Sequence, residues 1–359
     1  MEKRQLLLLK SGLLCRGVRV DNSARKSLMR EYPQFFDKGF IDAANISVCG
    51  MNVCVSAGEK FTFSSPYLLE HDDGGYFIEY CGERVPVTFF GALPQTGTFL
   101  DSMARLHSEG CINIWPSSVC CFDTERGKCA FCSLERTSAR PVEPEKMASA
   151  LKILLSKCSG ALNFSGGTYI SPDDMARYWI DLTARIREFS SCPIAVELAP
   201  PQDLSLLTKL HEAGATACIM NLEVASEELR RVICPGKSAI AKAHYYAAFK
   251  RAVADFGYGM VSSVLIAGVQ PASDIVAECR VLAKMGVYPT IMPLRPMDSC
   301  ALRDTPPCDP AELLAMSEEL GAILRERGMD PNCQPGCTKC GGCSLENDCR
   351  KFGALRGVS

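Results

Sequence analysis

From residue 111 onward, short apolar runs alternate with helix-like stretches, and this alternation limits the chain to few folds. Candidate strands lie at 111–115, 161–164, 194–198, 217–220, 261–266 and 288–292. The intervening segments carry helix signatures. Ser171 is a natural N-cap, Pro172 fits the first helical position, and Asp173 and Asp174 suit the positive end of the helix dipole. Met175, Tyr178, Leu182, Ile186 and Phe189 then recur at helical spacing. The run Asp309-Pro310-Ala311-Glu312 opens a last helix in the same way, and Gly328 ends it. Strands separated by helices must run parallel, since only crossovers of this length connect parallel neighbours. Six such units predict an α/β fold, a partial TIM barrel of (β/α)6 type over residues 109–328, with its chemistry on the loops after the strands.

Residues 1–108 read differently. Segments 61–63, 76–80 and 85–90 are strand-like, separated by turn residues at 72–75 and 81–83, which predicts a small α+β domain. Leu6 to Leu9 is too short for a signal h-region or a membrane span. Cys15, Cys49, Cys54 and Cys81 show no ligand-like spacing and read as small buried hydrophobes. A Cys-rich tail occupies residues 329–359.

The chain of 359 residues is 47% hydrophobic and 22% charged, as in an ordinary soluble globular protein, and its formal net charge of -2 favours neither nucleic acid nor a membrane. Its 21 cysteines are exceptional. Spread along the chain, they suit a reducing cytoplasm in which thiols serve metals. The most informative group follows the first barrel strand, where Cys120, Cys129 and Cys132 are spaced x8 and x2. Three thiolates so placed can hold three irons of a 4Fe-4S cluster and leave the fourth open to another ligand. Cys121 is the alternative first ligand. Zinc is the plainer account of Cys-x2-Cys, but no histidine or second pair lies nearby in sequence to close a tetrahedron.

Other strand ends carry matching features. Ser165-Gly166-Gly167-Thr168 follows the second strand, and its glycines allow close backbone approach to a ligand, although a tight connection alone would also use them. Glu197 lies inside the third strand, among mostly apolar residues, where burying a carboxylate is costly without purpose. Asn221 and Glu223 flank Leu222 after the fourth strand and point the same way. Arg230 and Arg231 follow, either as carboxylate ligands or as a solvated helix face. Gly268-Val269-Gln270 follows the fifth strand. Arg295, between Pro293 and Pro296, follows the sixth and suits substrate or second-cluster contact. In the tail, Cys333, Cys337, Cys340, Cys343 and Cys349 are spaced x3, x2, x2 and x5. This density points to an auxiliary iron-sulfur cluster on Cys337, Cys340 and Cys343, with Cys333 or Cys349 as fourth ligand; a four-cysteine zinc site is the alternative.

Together these motifs resemble the radical S-adenosylmethionine (SAM) superfamily, biotin synthase-like in style. More narrowly, they resemble the radical SAM family found beside nitrilase genes in bacterial clusters. That resemblance also rests on Ser65-Pro66-Tyr67, Ala199-Pro200-Pro201, Arg230-Arg231-Val232-Ile233-Cys234-Pro235-Gly236-Lys237, Met285-Gly286-Val287-Tyr288-Pro289, Pro293-Leu294-Arg295-Pro296 and the tail around Cys337 to Cys343. Thr168 stands where the family's Gly-Gly-Glu motif has an acid, and Ala199 stands where an acid precedes the two prolines.

The resemblance implies that Cys120, Cys129 and Cys132 hold the catalytic cluster and that Phe131 lies beside the SAM adenine. Gly166, Gly167 and Thr168 would bind the SAM amino group through backbone. Asn221 and Glu223 would hold its ribose and amino acid part, Arg230 or Arg231 its carboxylate, and Glu197 the ribose or substrate. It further implies reductive SAM cleavage, hydrogen abstraction from a small-molecule substrate of nitrile or nitrogen metabolism, and a reductant such as flavodoxin or ferredoxin. Two other functions fit the same residues: sulfur insertion of the biotin or lipoate type, and a non-catalytic iron-sulfur carrier or scaffold.

Overall fold

The structure, a computed structural model, describes residues 2–33, 44–134 and 140–353, except for the side chains of 333, 352 and 353. Helix α1 (Lys3–Arg16), β1 (Arg19–Val20), α2 (Asn22–Glu31), β2 (Ala44–Val48), β3 (Met51–Val55), β4 (Leu68–Asp72), β5 (Gly75–Tyr80) and β6 (Glu83–Phe89) come first. Their strands form a sheet in the order β1-β4-β5-β6-β2-β3. The β4–β5 and β5–β6 hairpins turn where Asp72-Asp73-Gly74-Gly75 and Cys81-Gly82 predict. The stretch 61–63 is not a strand. Both the amide and the hydroxyl of Thr62 bond the Glu59 carbonyl, at 2.8 and 2.7 Å, and this local closure draws the chain into a 3-10 turn.

The second sheet follows through α3 (Leu100–Met103), β7 (Ala104–Ser108), β8 (Cys111–Ile114), α4 (Pro144–Leu155), β9 (Ala161–Phe164), α5 (Pro172–Arg187), β10 (Ile194–Glu197), α6 (Ser205–Glu212) and β11 (Ala217–Ile219). It continues through α7 (Glu227–Ile233), α8 (Lys242–Phe256), β12 (Val261–Ala267), α9 (Ala272–Lys284) and β13 (Val287–Pro293). Strands β8 to β13 are parallel neighbours in chain order, forming the curled (β/α)6 half-barrel. All six strands lie where the hydrophobic runs place them. Strand β7 adds an antiparallel edge beside β8. Helix α5 starts at its Ser171 cap and α10 (Pro310–Glu326) at its Asp309 cap.

The last segment comprises α11 (Gly336–Cys340) and α12 (Glu346–Gly353). Barrel strands alternate between two environments. Ile112, Ile114, Leu162, Phe164, Ile194 and Val196 join the main core with helix residues such as Trp179 and Leu182. The alternate positions Asn113, Asn163, Ala195 and Ser262 are small or polar, because the tail occupies the barrel interior. The Cys337 amide donates to Asn163 Oδ1 at 3.2 Å, and the Thr338 hydroxyl donates to Ser262 at 3.3 Å. Gly336 makes the closest approach: a Cβ there would lie 2.5 Å from Asn163 Oδ1 and 3.1 Å from Ala195 Cβ, and its φ is +69°.

Two substitutions separate clash from backbone strain. Gly50→Ala, at φ +78° in open space, should lose only the left-handed penalty of about 1–2 kcal/mol. Gly336→Ala should lose about 1–3 kcal/mol more through overpacking, as read by urea denaturation.

Candidate functional site

The Cys120 loop leaves β8 and is pressed onto the turn after β9. The Gly167 amide bonds the Ser117 carbonyl at 3.3 Å, and the Cys121 amide bonds the Thr168 carbonyl at 2.6 Å. A Cβ on Gly167 would lie 2.1 Å from the Val119 carbonyl oxygen and 3.0 Å from Cys120 Cβ. The Gly166-Gly167 pair therefore serves the loop itself, since only glycine lets the two backbones meet.

The other end of the loop is fastened to the segment after α7. Ala130 donates its amide to the Ile233 carbonyl at 2.8 Å, Gly236 donates to the Gly127 carbonyl at 2.9 Å, and Leu302 donates to the Ala130 carbonyl at 3.1 Å. Phe131, partly buried with Cys132, packs on Cys129, Val224 and Cys234. The ligand atoms of Cys129, Glu223 and Cys234 all lie within 4.8 Å of one another. Cys234 Sγ donates to Glu223 Oε2 at 3.6 Å, and Lys237 Nζ donates to Glu223 Oε1 at 2.6 Å. The Cys234 thiol acts most strongly on Cys129 and pulls its pKa down; burial and then the Glu223 carboxylate oppose it, and the Lys237 ammonium assists. Burial pushes the Cys132 thiol up, with Cys129 and Cys120 adding to it, so the three thiols lie within each other's fields. Burial, then Cys120, raises Cys121 to about 11.

Several residues sit elsewhere than the motifs suggest. Glu223 adopts φ +68°, held by amide and carbonyl bonds to Val264 and Ile266 on β12 and by Gln270 Nε2 at 2.9 Å. Its carboxylate is already committed to Lys237. Arg230 is buried; its guanidinium donates to the Ile240 and Lys237 carbonyls and stacks over Tyr245 at 4.8 Å, so it clamps the 237–240 turn and is not free for a carboxylate. Arg231 is exposed on α7. Sequence alone gives Cys234 and Lys237 no separate role, although a lysine beside a cysteine in a Pro-Gly turn signals an ion pair near a thiol.

Glu197, at the end of β10, accepts from Asn221 Nδ2 at 2.7 Å, and Asn221 Oδ1 accepts from the Val264 amide at 3.1 Å. Burial first pushes the Glu197 carboxyl up to about 7; Lys237 pulls it down, while Cys337 and Glu223 raise it. This carboxyl feels both the Cys129 side and the tail.

A second gathering of thiols surrounds the tail. Cys337 Sγ lies 3.8 Å from His107 Nδ1, and Cys340 Sγ lies 3.6 Å from the His107 carbonyl. The Cys111 thiol lies beside those of Cys337 and Cys340, and the Cys54 thiol beside that of Cys343. Arg295 Nη1 lies 3.4 Å from Cys54 Sγ, which puts this arginine at the tail thiols. Cys54 and His107 are thus not isolated, as their sequence surroundings suggest. The Cys111 thiol, then burial, then His107 set Cys337, whose pKa falls to about 5. His107 is raised to about 9, the thiols outweighing burial. Cys349 is placed differently: α12 turns it into the core against α10, where a Cβ on Gly321 would lie 3.1 Å from Cys349 Cβ. The Cys333 side chain lies outside the described residues.

No family model matches the chain. A curated relative, bacteriochlorophyllide c C-7(1)-hydroxylase of Chlorobaculum limnaeum, is 28% identical over 132 residues, 36% of this chain and 33% of its own length. This chain thus matches about a third of that relative. Among solved structures, a radical SAM methyltransferase from Sphaerobacter thermophilus is similar at 12% identity and TM-score 0.48, covering 90% of this chain and 84% of that one. Coproporphyrinogen III oxidase from Escherichia coli, described as a radical SAM enzyme, is similar at 19% identity and TM-score 0.42, over 56% and 50%. Radical SAM enzymes are therefore among the structures this chain is similar to.

Two experiments probe the site's electrostatics. Lys237→Met leaves Glu223 buried without its partner and should lower stability by about 3–5 kcal/mol in chemical denaturation, while adding Glu223→Gln should recover most of the loss. Glu197 has a folded pKa above its ordinary 4.5, so the folded state binds more protons than the unfolded state between 4.5 and about 7. Stability should fall as pH rises through that window, and Glu197→Gln should flatten the decline.

Proposed function

We propose that this chain is a radical SAM enzyme whose cluster is held by Cys120, Cys129 and Cys132. The observation that supports this is the backbone contact between the three-thiol loop and the Gly166-Gly167 turn, the turn that this proposal reads as SAM-binding. Reduced by one electron, a cluster of this kind with SAM at its open iron supplies methionine and a 5'-deoxyadenosyl radical, which takes a hydrogen atom from substrate. The protein's own part is positional. Gly166, Gly167 and Thr168 shape the backbone beside the cluster loop, and Phe131 offers an apolar surface next to Cys132. Asn221 and Glu197 form a polar pair on the same face for the ribose or the substrate. Cys234 and then Lys237 favour the Cys129 thiolate against the opposing Glu223 carboxylate, and the surrounding apolar side chains exclude water.

The substrate in this proposal is a small molecule, with nitrile or other nitrogen metabolism as the field the sequence resemblance implies. Its electron comes from a reductant such as flavodoxin or ferredoxin. No helix among the described residues is long and apolar enough to cross a membrane, and the abundance of free thiols favours a reducing cytoplasm.

The test is 5'-deoxyadenosine formation from SAM under strong reductant, with anaerobically reconstituted wild type beside a Cys129→Ala, Cys132→Ala variant. Wild type alone should form it. Absence of product from a wild type with filled cluster sites would leave an electron carrier or scaffold.

A further inference from the structure

We propose that Cys54, on β3 of the N-terminal sheet, is the fourth protein ligand of a 4Fe-4S cluster whose other ligands are Cys337, Cys340 and Cys343. This deepens the sequence reading of the tail as an auxiliary cluster site and rests on it. It is independent of SAM chemistry.

Three cysteines spaced x2 and x2 around a short helix wrap one side of a four-iron cube, which leaves the remaining iron to a ligand from another element. The tail's own remaining described thiol, Cys349, is turned into the apolar contact with α10. Strand β3 is joined to the tail by backbone instead. The Cys54 amide donates to the Gly342 carbonyl at 2.7 Å, and Asn52 Nδ2 donates to the Cys340 carbonyl at 3.0 Å. These bonds set Cys54 beside the Cys340 to Cys343 turn of the tail.

Charge distinguishes Cys54 from Cys111, the fifth thiol of the group. A cluster on four thiolates is anionic, and a buried anion requires a cation or donors. Arg295 supplies both at Cys54, with Nη1 3.4 Å from the sulfur and Nη2 2.8 Å from the carbonyl oxygen. Cys111, buried on β8 against α11, makes no such bond to a cation among the described residues. His107, with Nδ1 3.8 Å from Cys337 Sγ, is the matching donor on the other side. Hydrogen bonds to cluster sulfurs tune the reduction potential. The ligand set would thus cross-link the N-terminal sheet to the segment inside the barrel.

The experiment starts from a Cys120→Ala, Cys129→Ala, Cys132→Ala variant of the full chain, reconstituted anaerobically with iron and sulfide. Iron, acid-labile sulfide and zinc are then measured, with Mössbauer spectra for cluster type and circular dichroism for the fold. About four irons and four sulfides per chain should remain. Adding Cys54→Ala should lower the iron content at least twofold, while adding Cys349→Ala or Cys111→Ala should leave it unchanged. Full iron in the folded Cys54→Ala protein, or loss with Cys111→Ala instead, overturns the assignment of Cys54 while the tail cluster stands. No iron, or zinc alone, in the starting variant overturns the tail reading and the assignment with it. Should Cys54→Ala fail to fold, Arg295→Gln in the same background gives the second measurement. It should retain the cluster and shift its midpoint potential to more negative values, and an unchanged potential counts against Cys54 as ligand.

Discussion

A buried ammonium holds the two ends of this molecule together. Lys10 is 1% exposed, and its Nζ donates to Asp348 Oδ2 at 2.6 Å and to the Gly341 carbonyl at 2.8 Å. A charge so buried is tolerable only with its partners in place, because the desolvation cost of several kcal/mol returns in full if they leave. It therefore fixes α1, and with it the neighbouring β3, against the tail. The tail is tied into the barrel in turn by Asn347, which bonds the Thr338 carbonyl and accepts from the Tyr288 hydroxyl. The positions of Cys337, Cys340 and Cys343 depend on this chain of buried contacts.

The opposite end of the barrel follows another logic. There the cluster loop is held by backbone bonds from both sides: the turn after β9 and the segment after α7. Side-chain charge is concentrated in the Glu223–Lys237 pair, less than a fifth exposed on either side. Its strained Glu223 is over-determined by bonds from β12 and Gln270, as a residue in an unfavourable backbone region must be. Between the two ends, Glu197 feels Lys237 and Cys337 together, so its protonation couples the barrel mouth to the tail.

Much of the fold was legible because it depends on local pattern. The six barrel strands, the Ser171 and Asp309 caps and the Asp72 and Cys81 turns are each set by residues within a few positions. The tail triad was legible from spacing. What could not be read were pairings between distant segments. Cys54 meets Cys343, His107 meets Cys337, and Arg230 folds back on its own turn; nothing in the neighbouring residues of any of them announces this. The small, polar strand residues Asn113, Asn163 and Ser262 do carry information in the sequence itself. A TIM-type interior is normally filled by branched apolar side chains, so their absence means that something else fills it.

The Lys10–Asp348 contact also bears on the order of folding. It joins positions 338 residues apart. Loop-closure entropy rises only slowly with such a span, but a contact of this range cannot form until the intervening chain has been synthesised and largely ordered. The half-barrel, with its local βα units, can condense first. The Lys10 ammonium on α1 must then wait for Asp348 and the Gly341 carbonyl until the last segment arrives. Because α1 also packs on α10 and β3, both complete before that segment, the contact left for the last step is a charged one rather than an apolar one.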